Sequence, residues 1–262
     1  MNDIILVNQK SQGFRHEEKC NLNKGHRMGR KAVAPVATPL SCKHVKPITI
    51  NQNKAYKEFH KGYNLILHGV AGTGKTYISM HMALCAVMEI DSKYEQVIII
   101  RSVVPTREIG YLPGTLKEKI SVYEEPYREI CTDLFEKATS YEELKARKKI
   151  TFATTSYLRG ITFKNAIIVV DEMQNLTYDE LRTVITRVGD NSRLIFSGDY
   201  RQSDLERYKD RQGLHHFLKI IEGIECFAKI EFNHSDIVRN ELVKEFIIRE
   251  SEYKDAGNEI QI

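Results

Sequence analysis

The sequence predicts an α/β protein with a mostly parallel sheet flanked by helices, and three observations predict it. From Pro47 onward, apolar runs of strand length alternate with stretches of helical character, the order that parallel strands joined by helical crossovers require. The runs are short and unbroken, as in Val97-Ile98-Ile99-Ile100 and Ile167-Ile168-Val169-Val170, which suits strands covered on both faces. A glycine-rich string from Gly69 to Thr76 joins one such run to a helical stretch, as a strand-to-helix turn does.

Taken in order, the first expected element is a helix over Asn51 to Phe59, followed by a strand over Leu65 to Gly69 built on Leu65-Ile66-Leu67. A helix over Gly74 to Ile90 follows the glycine string, and the next strand runs from Gln96 to Arg101. Leu116 to Lys137 is read as a helix with a break at Pro126, because proline removes an N–H and crowds the preceding turn. A short helix over Tyr141 to Lys148 precedes a strand over Ile150 to Thr154. The strand Ala166 to Asp171 ends in acids and is followed by a helix over Tyr178 to Arg187. The strand Arg193 to Gly198 rests on Leu194-Ile195-Phe196. A helix over Gly213 to Glu222, a strand over Cys226 to Phe232 and a helix over Asp236 to Glu250 complete the pattern, and the chain should fray from Gly257. No internal repeat and no heptad array is present.

With 262 residues, 42% of them hydrophobic, the chain can bury a full core as one large domain plus a tail. Residues 1 to 48 carry 9 lysines and arginines against 3 acids, leaving 30 against 32 thereafter. The expected division is therefore a basic, disordered N-terminal tail over 1–46, a folded domain over 47–250 and a frayed end over 251–262. A basic tail suits nucleic acid, and equally a solvated linker. No apolar run approaches the roughly 18 residues that span a bilayer, and the start lacks the positive region of a secretory signal. The expectation is a soluble, cytoplasmic protein with no membrane partner.

Cysteines 20, 42, 85, 131 and 226 form no paired framework, as expected of reduced thiols. His16, Cys20, His26, Cys42 and His44 cluster near the N-terminus, but their gaps do not match common zinc-finger spacings.

Gly69-Val70-Ala71-Gly72-Thr73-Gly74-Lys75-Thr76 is a complete G-x-x-x-x-G-K-[ST] phosphate loop. In such a loop the backbone N–H groups turn inward on a polyphosphate, the lysine reaches the β and γ phosphates, and the threonine hydroxyl ligates Mg²⁺. The helix that follows adds its positive end. Asp171 and Glu172 close a buried strand at its carboxyl end, where open α/β sheets bind ligands. The aspartate can hold Mg²⁺ through water, and the glutamate can orient and deprotonate an attacking water. Gln202, in Ser197-Gly198-Asp199-Tyr200-Arg201-Gln202-Ser203-Asp204, is a candidate for contact with the γ phosphate or the lytic water.

Together, Asp171-Glu172-Met173-Gln174-Asn175, Thr186-Arg187-Val188-Gly189 and Gly198-Asp199 through Asp204 closely resemble the PhoH-like ATPases, which are related to the core of superfamily 1 helicases. Ile109-Gly110-Tyr111-Leu112-Pro113-Gly114 with Lys117 and Lys119, Arg159-Gly160-Ile161-Thr162 and Asp236-Ile237-Val238-Arg239-Asn240 extend the resemblance over Pro47 to Glu250, in the family's order. The chain looks more like the short, single-core members, including those encoded by phages, than like the longer ones; for a phage-encoded protein the resemblance implies the host cytoplasm. The resemblance implies a RecA-like P-loop NTPase core that binds ATP with Mg²⁺ and hydrolyses it. It further implies that Gln52 recognises adenine and that Arg239 stabilises charge on the transferring phosphoryl group, with Arg187 a second candidate for that role.

One RecA-like fold supplies one side of the cleft in which a superfamily 1 motor grips ATP. The expectation is a homo-oligomer, with a hexameric ring as one arrangement and Arg239 reaching the next subunit's phosphate site. RNA or single-stranded DNA is the expected partner, touched by the tail and by the loop Arg101 to Gly114, which contains Arg107 and Tyr111. A nucleotide-gated switch with slow hydrolysis and a protein partner stays open as the alternative, and a small-molecule phosphotransferase fits less well for want of an acceptor-binding insertion.

Overall fold

The computed structural model describes residues 40–102, 116–155, 158, 160–199 and 208–256. The elements in chain order are α1 (Ile50–His60), β1 (Asn64–Gly69), α2 (Lys75–Met88), β2 (Gln96–Arg101), α3 (Leu116–Phe135), α4 (Ser140–Ala146), β3 (Ile150–Thr154), β4 (Ala166–Asp171), α5 (Tyr178–Ile185), β5 (Arg193–Gly198), α6 (Tyr208–Glu222), β6 (Phe227–Phe232) and α7 (Glu241–Asp255). Six parallel strands make one sheet in the order β3-β2-β4-β5-β1-β6. This is the expected α/β fold with a parallel sheet flanked by helices: β1, which leads into the phosphate loop, and β4, which ends in the acids, stand on either side of β5.

Alternation along each strand divides the core into two layers. Leu65, Leu67, Val97, Ile99, Ile167 and Val169 face a layer completed by α1, α2, α3 and α4. Ile66, Ile98, Ile100, Ile168, Val170 and Phe196 face the layer of α5 and α6. Every residue of β4 is buried, so its last carboxylate leaves the core at one fixed point.

Three elements differ from expectation for physical reasons. The helix α3 runs through Pro126 without a break. A mid-helix proline costs about 3 kcal/mol, and Tyr127, Cys131 and Leu134, all fully buried, hold the helix against the sheet regardless. The glycine at 213 lies inside α6, which starts at Tyr208, because a side chain there would collide with Tyr178 at the start of α5. The single helix expected over Asp236 to Glu250 is two elements. A 3₁₀ turn over His234–Asp236 is closed by a capping box between Asn233 and Asp236, the chain then extends through Ile237, and α7 begins at Glu241.

At the N-terminal side the packed chain reaches back to Leu40, ahead of the Pro47 boundary. Leu40, Cys42 and Val45 pack on the core, and the Lys43 N–H donates to the Leu134 carbonyl at 2.8 Å. At the other end α7 continues past Glu250 to Asp255. Among the described residues no helix is long and apolar enough to cross a membrane.

Candidate functional site

The glycine string forms a tight turn between β1 and α2. Gly69 has φ +123°, and a Cβ there would overlap the Phe232 carbonyl on β6, so only glycine lets the two strands run side by side into the loop. Gly74 caps α2 in the left-handed region at φ 80°, turning the first helical N–H groups toward the loop. Within the loop, the Thr73 hydroxyl donates to the Val70 carbonyl at 3.1 Å.

Lys75 is buried, and its Nζ donates to the Gly69 carbonyl at 2.9 Å, the Val70 carbonyl at 2.7 Å and Thr73 Oγ1 at 3.3 Å. Burial lowers its pKa, with Asp199, Glu172 and Asp171 working the other way. The Thr76 hydroxyl donates to Asp171 Oδ1 at 2.9 Å. This hydroxyl and carboxylate, brought side by side from the phosphate loop and the end of β4, are an oxygen-only pair that fits Mg²⁺.

Glu172 follows at φ 51°, ψ 46°, the left-handed region in a residue that carries a side chain. Burial raises its pKa, and the neighbouring Asp171 adds to that; a hydrogen bond from Gln174, with Arg101 and Lys75, opposes it. Gln174 Nε2 donates to Glu172 Oε2, and Gln174 Oε1 accepts from the Asp199 N–H at 3.1 Å. Gly198 leaves room for this bridge, since a Cβ there would overlap Gln174 Oε1.

These groups line one cavity of about 690 Å³, within the range of small-molecule sites. Lys75, Thr76, Asp171, Glu172, Gln52 and Arg239 all border it. Gln52 is 3% exposed and doubly engaged: its Nε2 donates to the Thr73 carbonyl at 3.0 Å and its Oε1 accepts from the Ile48 N–H at 2.8 Å. It is a brace on the phosphate loop rather than a solvated helix residue. Arg239 packs on its own chain's loop: a Cβ on Gly72 would lie 3.1 Å from Arg239 Cγ, and the Val238 N–H donates to the Gly72 carbonyl at 3.0 Å. The buried Asp236 fixes that approach by accepting from Asn51 Nδ2 at 2.7 Å and the Asn233 N–H at 3.0 Å.

Arg187 does not border the cavity. Its carbonyl accepts from the Phe163 N–H at 2.8 Å, and the Gly189 N–H returns to the Phe163 carbonyl at 2.7 Å, so this motif ties the end of α5 to the chain entering β4. Gln202 lies outside the described residues, as do Arg107, Tyr111 and most of the loop expected to touch nucleic acid. Arg101 ends β2, as expected, in register with Asp171, and it borders the cavity. Burial works against its charge, and the Tyr127 hydroxyl with Asp171 and Glu172 outweighs it, leaving its pKa raised.

Tyr127, Gln174 and Arg101 were not expected in this site. The fully buried Tyr127 hydroxyl donates to Asp171 Oδ2 at 2.8 Å, so both oxygens of Asp171 are held, one by Thr76 and one by Tyr127. Its position in mid-helix carries no local signal. Arg101 had one, because it ends a strand of the same kind as the strand ending in Asp171.

The family model described as PhoH-like protein matches residues 44–249. The PhoH-like protein of Mycobacterium tuberculosis is 33% identical over 217 residues, covering 82% of this chain and 60% of that protein. Protein PhoH of Escherichia coli K12 is 34% identical over 178 residues, 66% of this chain and 49% of its own length. This chain thus spans less than two thirds of either relative. Among solved structures, the Hef helicase domain of Pyrococcus furiosus overlaps with a TM-score of 0.42 at 20% identity, covering 72% of this chain and 39% of that one.

Proposed function

This chain belongs to the PhoH-like protein family, and from that premise we propose that its P-loop core binds ATP with Mg²⁺ and hydrolyses it in the cavity bordered by Lys75 and Glu172. The observation that carries the reading is the meeting of Thr76 with Asp171 at 2.9 Å, which joins the phosphate loop to the acidic strand end from the far side of β5.

The backbone amides of Gly72 to Thr76 and the ammonium of Lys75 hold the β and γ phosphates. Thr76 and Asp171 hold Mg²⁺, which when bound neutralises charge on the phosphate oxygens. Glu172 orients a water against the γ phosphorus and takes its proton as the new P–O bond forms and the bond to ADP breaks. A carboxylate with a raised pKa is the better base for that step. Gln174 fixes the carboxylate, and Arg239 serves the phosphates of its own chain. Gln202 is assigned contact with the γ phosphate or the lytic water on its place in the sequence and on the family resemblance.

Hydrolysis is proposed to be coupled to binding or remodelling of RNA or single-stranded DNA in the cytoplasm, supported by the basic charge of residues 1 to 48 and by the helicase-related family pattern. The test is steady-state ATP hydrolysis with and without RNA, single-stranded DNA and duplex DNA. Stimulation by one of the single strands is expected. Turnover unchanged by every nucleic acid would favour the nucleotide-gated switch.

A further inference from the structure

Away from the nucleotide cavity, Cys42, His81 and Cys85 converge, with their ligand atoms all within 4.8 Å of one another. His81 and Cys85 stand four residues apart on α2 and so share one face of that helix. Cys42 arrives from the segment ahead of α1, which the Lys43 to Leu134 backbone bond holds in place. The His81 ring is buried and the two thiols are half-buried. His81 Nε2 lies 3.3 Å from Cys85 Sγ and 3.2 Å from the Lys43 carbonyl oxygen. On the opposite side of the ring, Nδ1 is 2.8 Å from the Tyr56 hydroxyl.

The Lys43 carbonyl can only accept, so in the absence of an ion Nε2 carries the ring proton and the Tyr56 hydroxyl donates to Nδ1. With the proton moved to Nδ1, the ring would donate to the Tyr56 oxygen and free the Nε2 lone pair for an ion held with the thiols. Metal-bound histidines are held by an outer hydrogen bond of this kind. A cavity of about 210 Å³ bordered by Tyr56, His81 and Cys85 gives an ion a way in.

We propose that Cys42, His81 and Cys85 form a zinc site, with a water or the Lys43 carbonyl in the fourth position. Two sulfurs and an imidazole select a thiophilic cation, so the site does not compete with the oxygen-lined Mg²⁺ position at Thr76 and Asp171. Uptake of Zn²⁺ forms two metal–sulfur bonds and one metal–nitrogen bond, and releases the two thiol protons to solvent. The bound ion would staple the chain around Cys42 to the helix that begins with Lys75 and Thr76.

The test uses the full chain, purified reduced, stripped of metal and titrated with ZnCl₂, and in parallel with CoCl₂. Expected are about one equivalent of zinc per chain, a cobalt spectrum with thiolate charge-transfer bands and tetrahedral ligand-field intensity, and a higher Tm with zinc. Cys42→Ser and Cys85→Ser should each abolish stoichiometric binding, and Tyr56→Phe should weaken it about tenfold. Cys226→Ser, which changes an exposed thiol outside the cluster, should leave it intact. Should the serine variants fail to fold, the wild-type cobalt spectrum decides. The proposal is overturned by a reduced wild type that takes up no zinc, by cobalt bands without thiolate character, by zinc retained in both serine variants, or by loss in Cys20→Ser without loss in Cys85→Ser. A Cys42–Cys85 disulfide re-forming in preference to zinc uptake would also overturn it.

Discussion

Glu172 holds a backbone conformation that costs a residue with a side chain about 1–2 kcal/mol, and it does so beside the phosphate loop. Such strain persists where surrounding bonds impose it, here the Gln174 bridge between Glu172 and Asp199. As the proposed base, Glu172→Gln is expected to cut turnover by about 10²–10⁴ while ATP stays bound. Hydrolysis and equilibrium binding measured on one preparation check this, and unchanged turnover would remove Glu172 from the chemistry. The pH dependence has a definite sign. The base works ionised and burial raises its pKa, so the wild-type rate should fall on acidification at a higher pH than an ordinary glutamate titrates. The residual rate of Glu172→Gln should lack that limb. Arg239→Ala should lower turnover by about 10³. Because Arg239 packs on its own loop, mixing it with Lys75→Ala subunits should restore nothing. Recovered activity in the mixture would instead show the arginine acting across an interface. The loop and the acids were legible at this scale because residue type and spacing are themselves the chemistry. Tyr127 was not, since it reaches Asp171 through folding rather than through any local pattern; Gln174 stood in the quoted acidic string, but its bridge from Glu172 to the Asp199 N–H depends on the fold.

At the scale of elements, the four inner strands were legible because a strand buried on both faces is built on a short, bounded apolar run, while the edge strands β3 and β6 mix apolar residues with exposed polar ones and were legible from their place in the alternation. Helix ends were less so. Pro126 and the glycine at 213 are local signals against helix, and tertiary packing by Tyr127 and Tyr178 outweighs them. The division ahead of α7 hinged on Asp236, whose carboxylate is spent on Asn51 and on its own turn rather than on starting a helix. The close passage of β1 and β6 gives a prediction that belongs here. Gly69→Ala should destabilise the fold by about 1–3 kcal/mol, since the added methyl meets the Phe232 backbone in a conformation that alanine resists. Chemical denaturation checks the loss, and a neutral effect would mean that β6 can yield.

Over the whole molecule, the family resemblance gave the right family and fold class, and what it could not give was where the packed chain begins. Because Leu40, Cys42 and Val45 pack on the core, a truncation that tests the tail must stop at Pro39. Removing residues 1–39 should weaken binding to single-stranded nucleic acid and flatten its salt dependence by about 0.7 in log–log slope for each phosphate that the tail had neutralised. An unchanged slope would make the tail a linker. Assembly into a homo-oligomer, which the family resemblance leads us to propose, is checked by solution mass in the presence of ATP. Beneath all of this lies one pocket, shared by a loop that wraps phosphate and a strand that ends in acids. Calorimetric titration of the full chain with ATP in Mg²⁺ probes it most directly. Stoichiometric uptake, abolished or severely weakened in Lys75→Ala and retained in Glu172→Gln, is the predicted result; no uptake by the wild type, or equal uptake by Lys75→Ala, would contradict it.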